Sequence, residues 1–115
     1  MAKKRPIAIY GKRLREAREN YGASQDDLGV AVGLDPAGAS GRISRYENGI
    51  HQPKLGLQHL FAEGLGLPLA YFYAEDDELA RLIAEFGRKD KPSQRRIKIK
   101  IKKKASEKKP KPERR

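Results

Sequence analysis

The chain of 115 residues contains no cysteine or tryptophan and only two histidines, His51 and His59. A disulfide framework is therefore excluded, and two histidines are too few for a structural zinc site of the usual kind. No stretch approaches the roughly 18 apolar residues of a membrane-spanning helix. The basic residues Lys3, Lys4 and Arg5 are not followed by the apolar run of a secretory signal. We expect a cytoplasmic protein without metal or cofactor.

The whole chain has a net charge of +11, and the positive charge is concentrated near its C-terminal end. Residues 88–115 hold 15 Lys and Arg against 3 Asp and Glu, whereas residues 1–87 hold 11 against 12. A near-neutral domain with a basic tail indicates that the domain makes a specific contact with nucleic acid. The tail would add nonspecific electrostatic attraction. The sequence predicts a folded domain at residues 1–88 and a basic, largely disordered tail at residues 89–115.

The first half of the tail, residues 89–102, carries two conflicting patterns. Ile97, Ile99 and Ile101 alternate with lysines as in a strand, but no other part of the chain offers a partner strand. Ser93 could instead cap a short helix. Both interpretations remain open.

Apolar residues at helical spacing predict an all-α domain, a compact bundle of about five to six short helices. In the first helix, Tyr10, Leu14, Ala17 and Tyr21 share one face, and charged residues including Arg13 lie on the other. The helices are predicted to end at the glycines that follow each apolar stripe: Gly22, Gly33, Gly49, Gly66 and Gly87. Later helices have caps, prolines or acidic residues at their starts: Ser24, Asp35 with Pro36, Pro53, and Glu75 to Glu78.

Two apolar groups follow the fourth helix. The first group has more large apolar side chains than one face of a short turn can bury. Core filling and a dimer contact therefore both remain open as its role. Its members are Leu69, Tyr71, Phe72 and Tyr73. The second group has helical spacing and predicts the buried face of the last helix. Its members are Leu79, Leu82, Ile83 and Phe86.

The third predicted helix has one buried and one exposed face. Ala39, Ile43 and Tyr46 share the apolar face, with Glu47 at its edge. The residues on the opposite face are small, polar or basic: Ser40, Gly41, Ser44, Arg45 and Asn48. Two short helices joined by a tight turn, the second with such a face, fit the DNA major groove, which is about 12 Å wide.

Arg45 is expected to contact a base, because its five donors match O6 and N7 of guanine. Arg42 lies toward the flank of the helix, where phosphate contact is expected. For both Arg42 and Arg45, the alternative is an ordinary solvated helix face. Ser40 and Ser44 can reach bases or phosphates, and Gly41 would allow close approach to the duplex. Further phosphate contacts are predicted for Gln25, Asn48, His51 and Lys54.

Three motifs occur in order: Leu14-Arg15-Glu16-Ala17-Arg18, Ser24-Gln25-Asp26-Asp27-Leu28, and Ile43-Ser44-Arg45-Tyr46-Glu47-Asn48-Gly49. With Pro53 and the Leu65-Gly66-Leu67-Pro68 turn, they make residues 9–73 resemble the Cro/lambdoid-repressor type of helix-turn-helix protein, the XRE family. The resemblance implies a lambda-repressor-like bundle that binds DNA as a homodimer in the bacterial cytoplasm, associated with the nucleoid. It also implies that Gln25 holds a phosphate and that an ion pair between Arg18 and Glu47 locks the first helix onto the third.

The chain departs from this family pattern at two places. The link before Ile43 has eight residues, 35–42, where four are usual, and the extra residues could lengthen the third helix or form a loop. Gly29 stands where alanine is usual, which either costs about 1 kcal/mol of helix propensity or permits closer helix packing.

The sequence therefore predicts a sequence-specific transcriptional regulator, with a repressor expected, whose partner is double-stranded DNA. The small size of the chain leaves no room for a large effector-binding domain, so no small-molecule effector is expected. The alternative is an antitoxin or adaptor-type module whose basic tail binds a protein or RNA. An enzyme is not expected, because no nucleophile has a base beside it and no glycine-rich phosphate loop is present.

Overall fold

The computed structural model describes residues 6–88, which form an all-α bundle without a strand in that range. Its helices are α1 (Pro6–Tyr21), α2 (Gln25–Ala31), α3 (Ala39–Glu47), α4 (Leu55–Leu65) and α5 (Asp77–Arg88). A short 3₁₀ helix, Leu69–Tyr73, connects α4 to α5. The predicted fold class is confirmed. The tail, including the open choice for residues 89–102, lies outside the described residues.

Most helix ends follow the predicted signals. The side chain of Ser24 accepts a hydrogen bond from the Asp27 amide at 2.9 Å, and the Asp27 carboxylate accepts one from the Ser24 amide at 3.3 Å. This reciprocal capping box starts α2 one residue after Ser24. Four of the five predicted terminal glycines have positive φ angles, which permit the left-handed turn: Gly22, Gly33, Gly49 and Gly66.

Gly87 does not end a helix, because α5 continues through it to Arg88. A Cβ atom at Gly87 would lie 2.6 Å from Cδ of Pro68, so the missing side chain lets α5 approach the turn after α4. Gly87 therefore allows close helix packing and does not terminate α5 as predicted.

The start predicted for α3 at Asp35 and Pro36 is wrong. The carboxylate of Asp35 accepts a hydrogen bond from the Ala37 amide at 3.1 Å, and its carbonyl accepts one from the Gly38 amide at 3.0 Å. These bonds close a turn, and α3 begins only at Ala39 with Gly38 as its N-cap. The long link is thus turn in its first half and helix in its second. Similarly, α4 begins at Leu55, two residues after Pro53.

The core lies between α1, α3, α4 and the 3₁₀ helix. Its largest fully buried side chains are Tyr10, Leu14, Ile43, Phe61 and Phe72. Behind α3, a Cβ atom at Gly29 would lie only 2.7 Å from Cβ of Ala39. The structure therefore supports the second interpretation of Gly29, in which the missing side chain lets α2 pack closely on α3.

Tyr71 and Phe72 of the 3₁₀ helix are buried, and Leu69 packs partly against the core. Core filling therefore accounts for most of this crowded apolar group. Tyr73 alone is exposed by more than a third, at 39%.

The predicted buried face of α5 is wrong for Leu79 and Leu82, although Ile83 does pack against the core. Leu79 and Leu82 are 49% and 48% exposed, and the residues that face the core are Ala80 and Ala84, with Ile83 partly buried. Small alanines let the helix lie close to its neighbours, which the larger leucines would not. The larger apolar stripe consequently faces outward.

Arg13, predicted on the polar side of α1, is buried at 2% exposure. Its guanidinium donates to the carbonyls of Ala74 and Glu75 at 2.8 and 3.1 Å, and to the Asp77 carboxylate at 3.0 Å. The prediction failed because these partners lie more than 60 residues further along the chain. The hydrogen bond from Arg13 also lowers the pKa of Asp77 below its ordinary value. Arg13 thus ties α1 to the start of α5.

Candidate nucleic-acid interface

Helix α3 presents the two faces that its sequence predicted. Ala39 and Ile43 are completely buried and Tyr46 is 6% exposed, so these residues fix the helix against the core. On the opposite face Ser40, Arg42, Arg45 and Asn48 are exposed, while Gly41 and Ser44 are half-buried. The outward face is therefore short, polar and basic.

Arg45 is the cation with the most freedom on this face. Its side chain makes no hydrogen bond or ion pair with any residue in 6–88. The guanidinium lies over Gly41, since a Cβ atom there would be 3.7 and 3.8 Å from Nη1 and Nη2. Arg45 thus extends back along α3 by one turn, and no residue in 6–88 uses any of its side-chain donors.

Arg42 is held in place by Tyr46. Its Nη2 donates a hydrogen bond to the Tyr46 hydroxyl at 2.7 Å, and its Cζ lies 5.8 Å from the centre of that ring. The hydroxyl and the aromatic face orient the guanidinium while leaving its other N–H groups free. Tyr46 therefore serves both the core and the surface.

An open groove beside α3 brings together four of the predicted site residues. The side chains of Arg42, Arg45, His51 and Lys54 line it, together with Tyr46, Gln52 and Leu57. Within residues 6–88, no carboxylate lines this groove. Its chemistry suits an anionic ligand such as a phosphate backbone.

Asn48 and Ser44 contact each other at the end of α3. The Asn48 amide donates to the Ser44 carbonyl at 2.9 Å and to the Ser44 hydroxyl at 3.2 Å. Ser44 keeps its own O–H for a further acceptor, and Asn48 keeps its side-chain carbonyl. The pair closes the last turn of the helix.

A second cluster lies where α1, α2 and α3 meet. Arg18 donates to the Glu47 carboxylate through Nε at 2.6 Å and Nη2 at 3.2 Å. The two side chains are only 12% and 3% exposed. Hydrogen bonding to Glu47 raises the pKa of Arg18 above its ordinary value. This bidentate pair joins the end of α1 to the end of α3.

Gln25 belongs to the same cluster. Its amide donates to Glu47 at 3.0 Å, so one of its two N–H groups is used inside the protein. The second N–H and the side-chain oxygen of Gln25 make no other hydrogen bond within residues 6–88, and they lie at the start of α2.

Two residues that position α3 were missed at the sequence level. A Cβ atom at Gly11 would lie 2.5 Å from the Glu47 carbonyl, so α1 crosses α3 with backbone nearly in contact. Gln58 is 4% exposed and binds the segment after α3. It shares its helical phase with Phe61, Ala62 and Leu65, and a polar residue in that phase is the signal that could have found it.

No helix within residues 6–88 is long and apolar enough to span a membrane. Over the same residues, no group of three or more His, Asp and Glu side chains could hold a metal ion.

A family model described as a helix-turn-helix domain matches residues 9–71. Among solved structures, the crystal structure of transcriptional regulator BswR is similar, with a TM-score of 0.69 and 36% sequence identity. The alignment covers 80% of this chain and 91% of that one. No curated protein sequence matches the chain.

Proposed function

The chain belongs to the helix-turn-helix domain family, and from this premise we propose that it is a sequence-specific DNA-binding transcriptional regulator, with repression as the expected effect. The observation that carries the proposal is the guanidinium of Arg45 on the outward face of α3, which has no partner within residues 6–88. It lies beside a groove that the same part of the chain lines without a carboxylate. The description of the similar protein BswR as a transcriptional regulator supports it.

In this proposal α3 enters the major groove, and Arg45 donates two hydrogen bonds to a guanine. Ser40 and Ser44 contact neighbouring base edges or phosphates, and Gly41 lets Arg45 lie flat along the helix. The remaining site residues contact phosphates: Gln25, Arg42, Asn48, His51 and Lys54. The expected setting is the bacterial cytoplasm, in association with the nucleoid.

We further propose that the protein acts as a homodimer on two-fold-symmetric DNA. The outward stripe of α5, with Leu79 and Leu82 half exposed, offers apolar surface that a partner could cover. Selection of bound sequences from random duplex DNA by the full chain tests specificity and symmetry together. We expect a palindromic motif; a motif without symmetry would contradict the dimer, and no motif would contradict specific recognition.

Arg45→Ala is expected to cost about 1–3 kcal/mol of binding free energy on the selected sequence and little on random duplex, because a contact with a base supplies discrimination. Fluorescence anisotropy at fixed salt measures both affinities. Lys54→Ala is the matched control, since removing a phosphate contact should weaken both duplexes equally. Equal losses for Arg45→Ala on both duplexes would contradict its assignment to a base.

Deletion of residues 89–115 is expected to weaken binding to all duplexes alike, because this tail carries most of the positive charge. For every phosphate that the protein no longer neutralises, the slope of log affinity against log salt should decrease by about 0.9. A chain of equal length with the tail lysines replaced by glutamine controls for size. An unchanged slope in both variants would show that the tail does not bind DNA.

The basic tail also supports a second candidate, an antitoxin or adaptor-type module whose tail binds a protein or RNA. Co-purification of a stoichiometric acidic partner, with the tail protected from protease only in that complex, would favour this candidate over a regulator.

A further inference from the structure

A polar network lies behind the segment that connects α3 to α4. This segment, residues 48–54, carries His51 and Lys54 on the groove side. The backbone amides of Ile50 and His51 donate to the Arg45 carbonyl at 2.9 and 3.3 Å, which holds the first half. The second half is held by side chains from other elements.

Gln58 of α4 and Tyr73 of the 3₁₀ helix hold that second half together. The Gln58 amide donates to the Pro53 carbonyl at 2.8 Å, and the Tyr73 hydroxyl donates to the Gln58 side-chain oxygen at 2.6 Å. Gln52 in turn donates to the Tyr73 hydroxyl at 3.1 Å. Each donor faces an acceptor, so the network has a single consistent orientation.

Core packing alone does not account for Gln58. Its side chain is 4% exposed and shares the helical phase of Phe61 and Leu65. A leucine would fill this space without a buried amide that needs partners. What the amide adds is its bond to Pro53, whose neighbours on either side are Gln52 and Lys54.

We propose that Gln58 and Tyr73 are positioning residues for phosphate recognition. They fix residues 52–54 relative to α3, so that Lys54 meets a phosphate while Arg45 reaches into the groove. The inference rests on the proposed function and deepens it. It assigns to buried Gln58 and partly exposed Tyr73 the placement of a phosphate contact that they do not make themselves.

Tyr73→Phe in the full chain tests the proposal, with Tyr10→Phe as its matched control. The two rings lie 5.5 Å apart, yet the Tyr10 hydroxyl is buried and has no hydrogen-bond partner among the described residues. Affinities are measured on the selected sequence and on random duplex over a range of salt concentrations. Gln58→Leu provides a second variant in which the network is broken from α4.

Tyr73→Phe and Gln58→Leu are expected to weaken binding to both duplexes about 5- to 10-fold and to reduce the salt slope by about one phosphate contact. Tyr10→Phe should leave both quantities unchanged. A purely structural role would lower the melting temperature and leave the slope intact, and that result would overturn the proposal. So would wild-type slopes in both variants.

These outcomes separate the inference from the proposed function. A wild-type chain that binds both duplexes equally would contradict sequence-specific recognition, while the variant slopes on random duplex would still decide the role of the network. A wild-type chain that binds neither duplex would overturn both.

Discussion

Arg18→Met is expected to lower the free energy of unfolding by about 3–5 kcal/mol, because it leaves a buried carboxylate without its bidentate partner. The Glu47 side chain is 3% exposed and would keep only the hydrogen bond from Gln25. Methionine fills much of the space of arginine, so the loss of charge pairing dominates the effect. Chemical denaturation followed by circular dichroism measures it.

Two further variants isolate the cause. Arg15→Met, one turn earlier in α1, breaks an exposed pair with Glu19 and should cost less than about 1 kcal/mol. Arg18→Met combined with Glu47→Leu should recover much of the stability, because an apolar pair leaves no buried charge. A double variant as unstable as Arg18→Met alone would show that the pairing is not the cause.

Gly11→Ala is expected to destabilise the protein by about 1–3 kcal/mol, although alanine favours helices by about 1 kcal/mol. The new Cβ atom would lie 2.5 Å from the Glu47 carbonyl oxygen and 2.6 Å from that of Tyr46. Both obstacles are backbone atoms, so α1 and α3 must move apart. DNA affinity should fall with stability, because α3 is the element displaced.

Gly64→Ala is the matched control for this substitution. Gly64 also lies inside a helix, α4, but a Cβ atom there would meet nothing within 4 Å. Alanine at this position should raise the melting temperature. If both variants proved equally stable, the close crossing of α1 and α3 would not constrain the fold.

Periodicity predicted the elements whose buried face is both apolar and large. Ile43 and Tyr46 placed α3 in correct phase, and the outward positions of Arg45 and Ser40 followed. In α5 the same reasoning chose the larger stripe, Leu79 and Leu82, whereas the helix packs through alanines. Periodicity finds stripes, but the shape of the neighbouring surface decides which stripe is buried.

A local sequence signal failed where the same residues suit either a helix start or a turn. Asp35 followed by proline suits a helix start, but an aspartate also closes a turn by accepting from the amide two residues later, as it does here. The burial of Arg13 was not predictable for a different reason. Its hydrogen bonds to Ala74, Glu75 and Asp77 reach residues more than 60 positions away, so no local pattern contains them.

For the site, the sequence predicted which residues lie on the outward face of α3. The structure adds the contacts that each of them makes within the protein. It places Arg45 over Gly41 with no partner among the described residues, and it places Arg42 against Tyr46. Helical position placed Arg42 toward the flank of α3, but its hydrogen bond to the Tyr46 hydroxyl is a contact that only the structure shows. The contacts of these residues with DNA stay predictions.

The central claim, that Arg45 reads a guanine, is tested most directly by a double-mutant cycle between protein and DNA. Guanines in the selected sequence are replaced one at a time by 7-deazaguanine, which lacks the N7 acceptor, and affinity is measured for the wild type and Arg45→Ala. At one guanine in each half-site, the loss seen with wild type should vanish in Arg45→Ala, a coupling of about 1–3 kcal/mol. Additive losses at every guanine would contradict the claim.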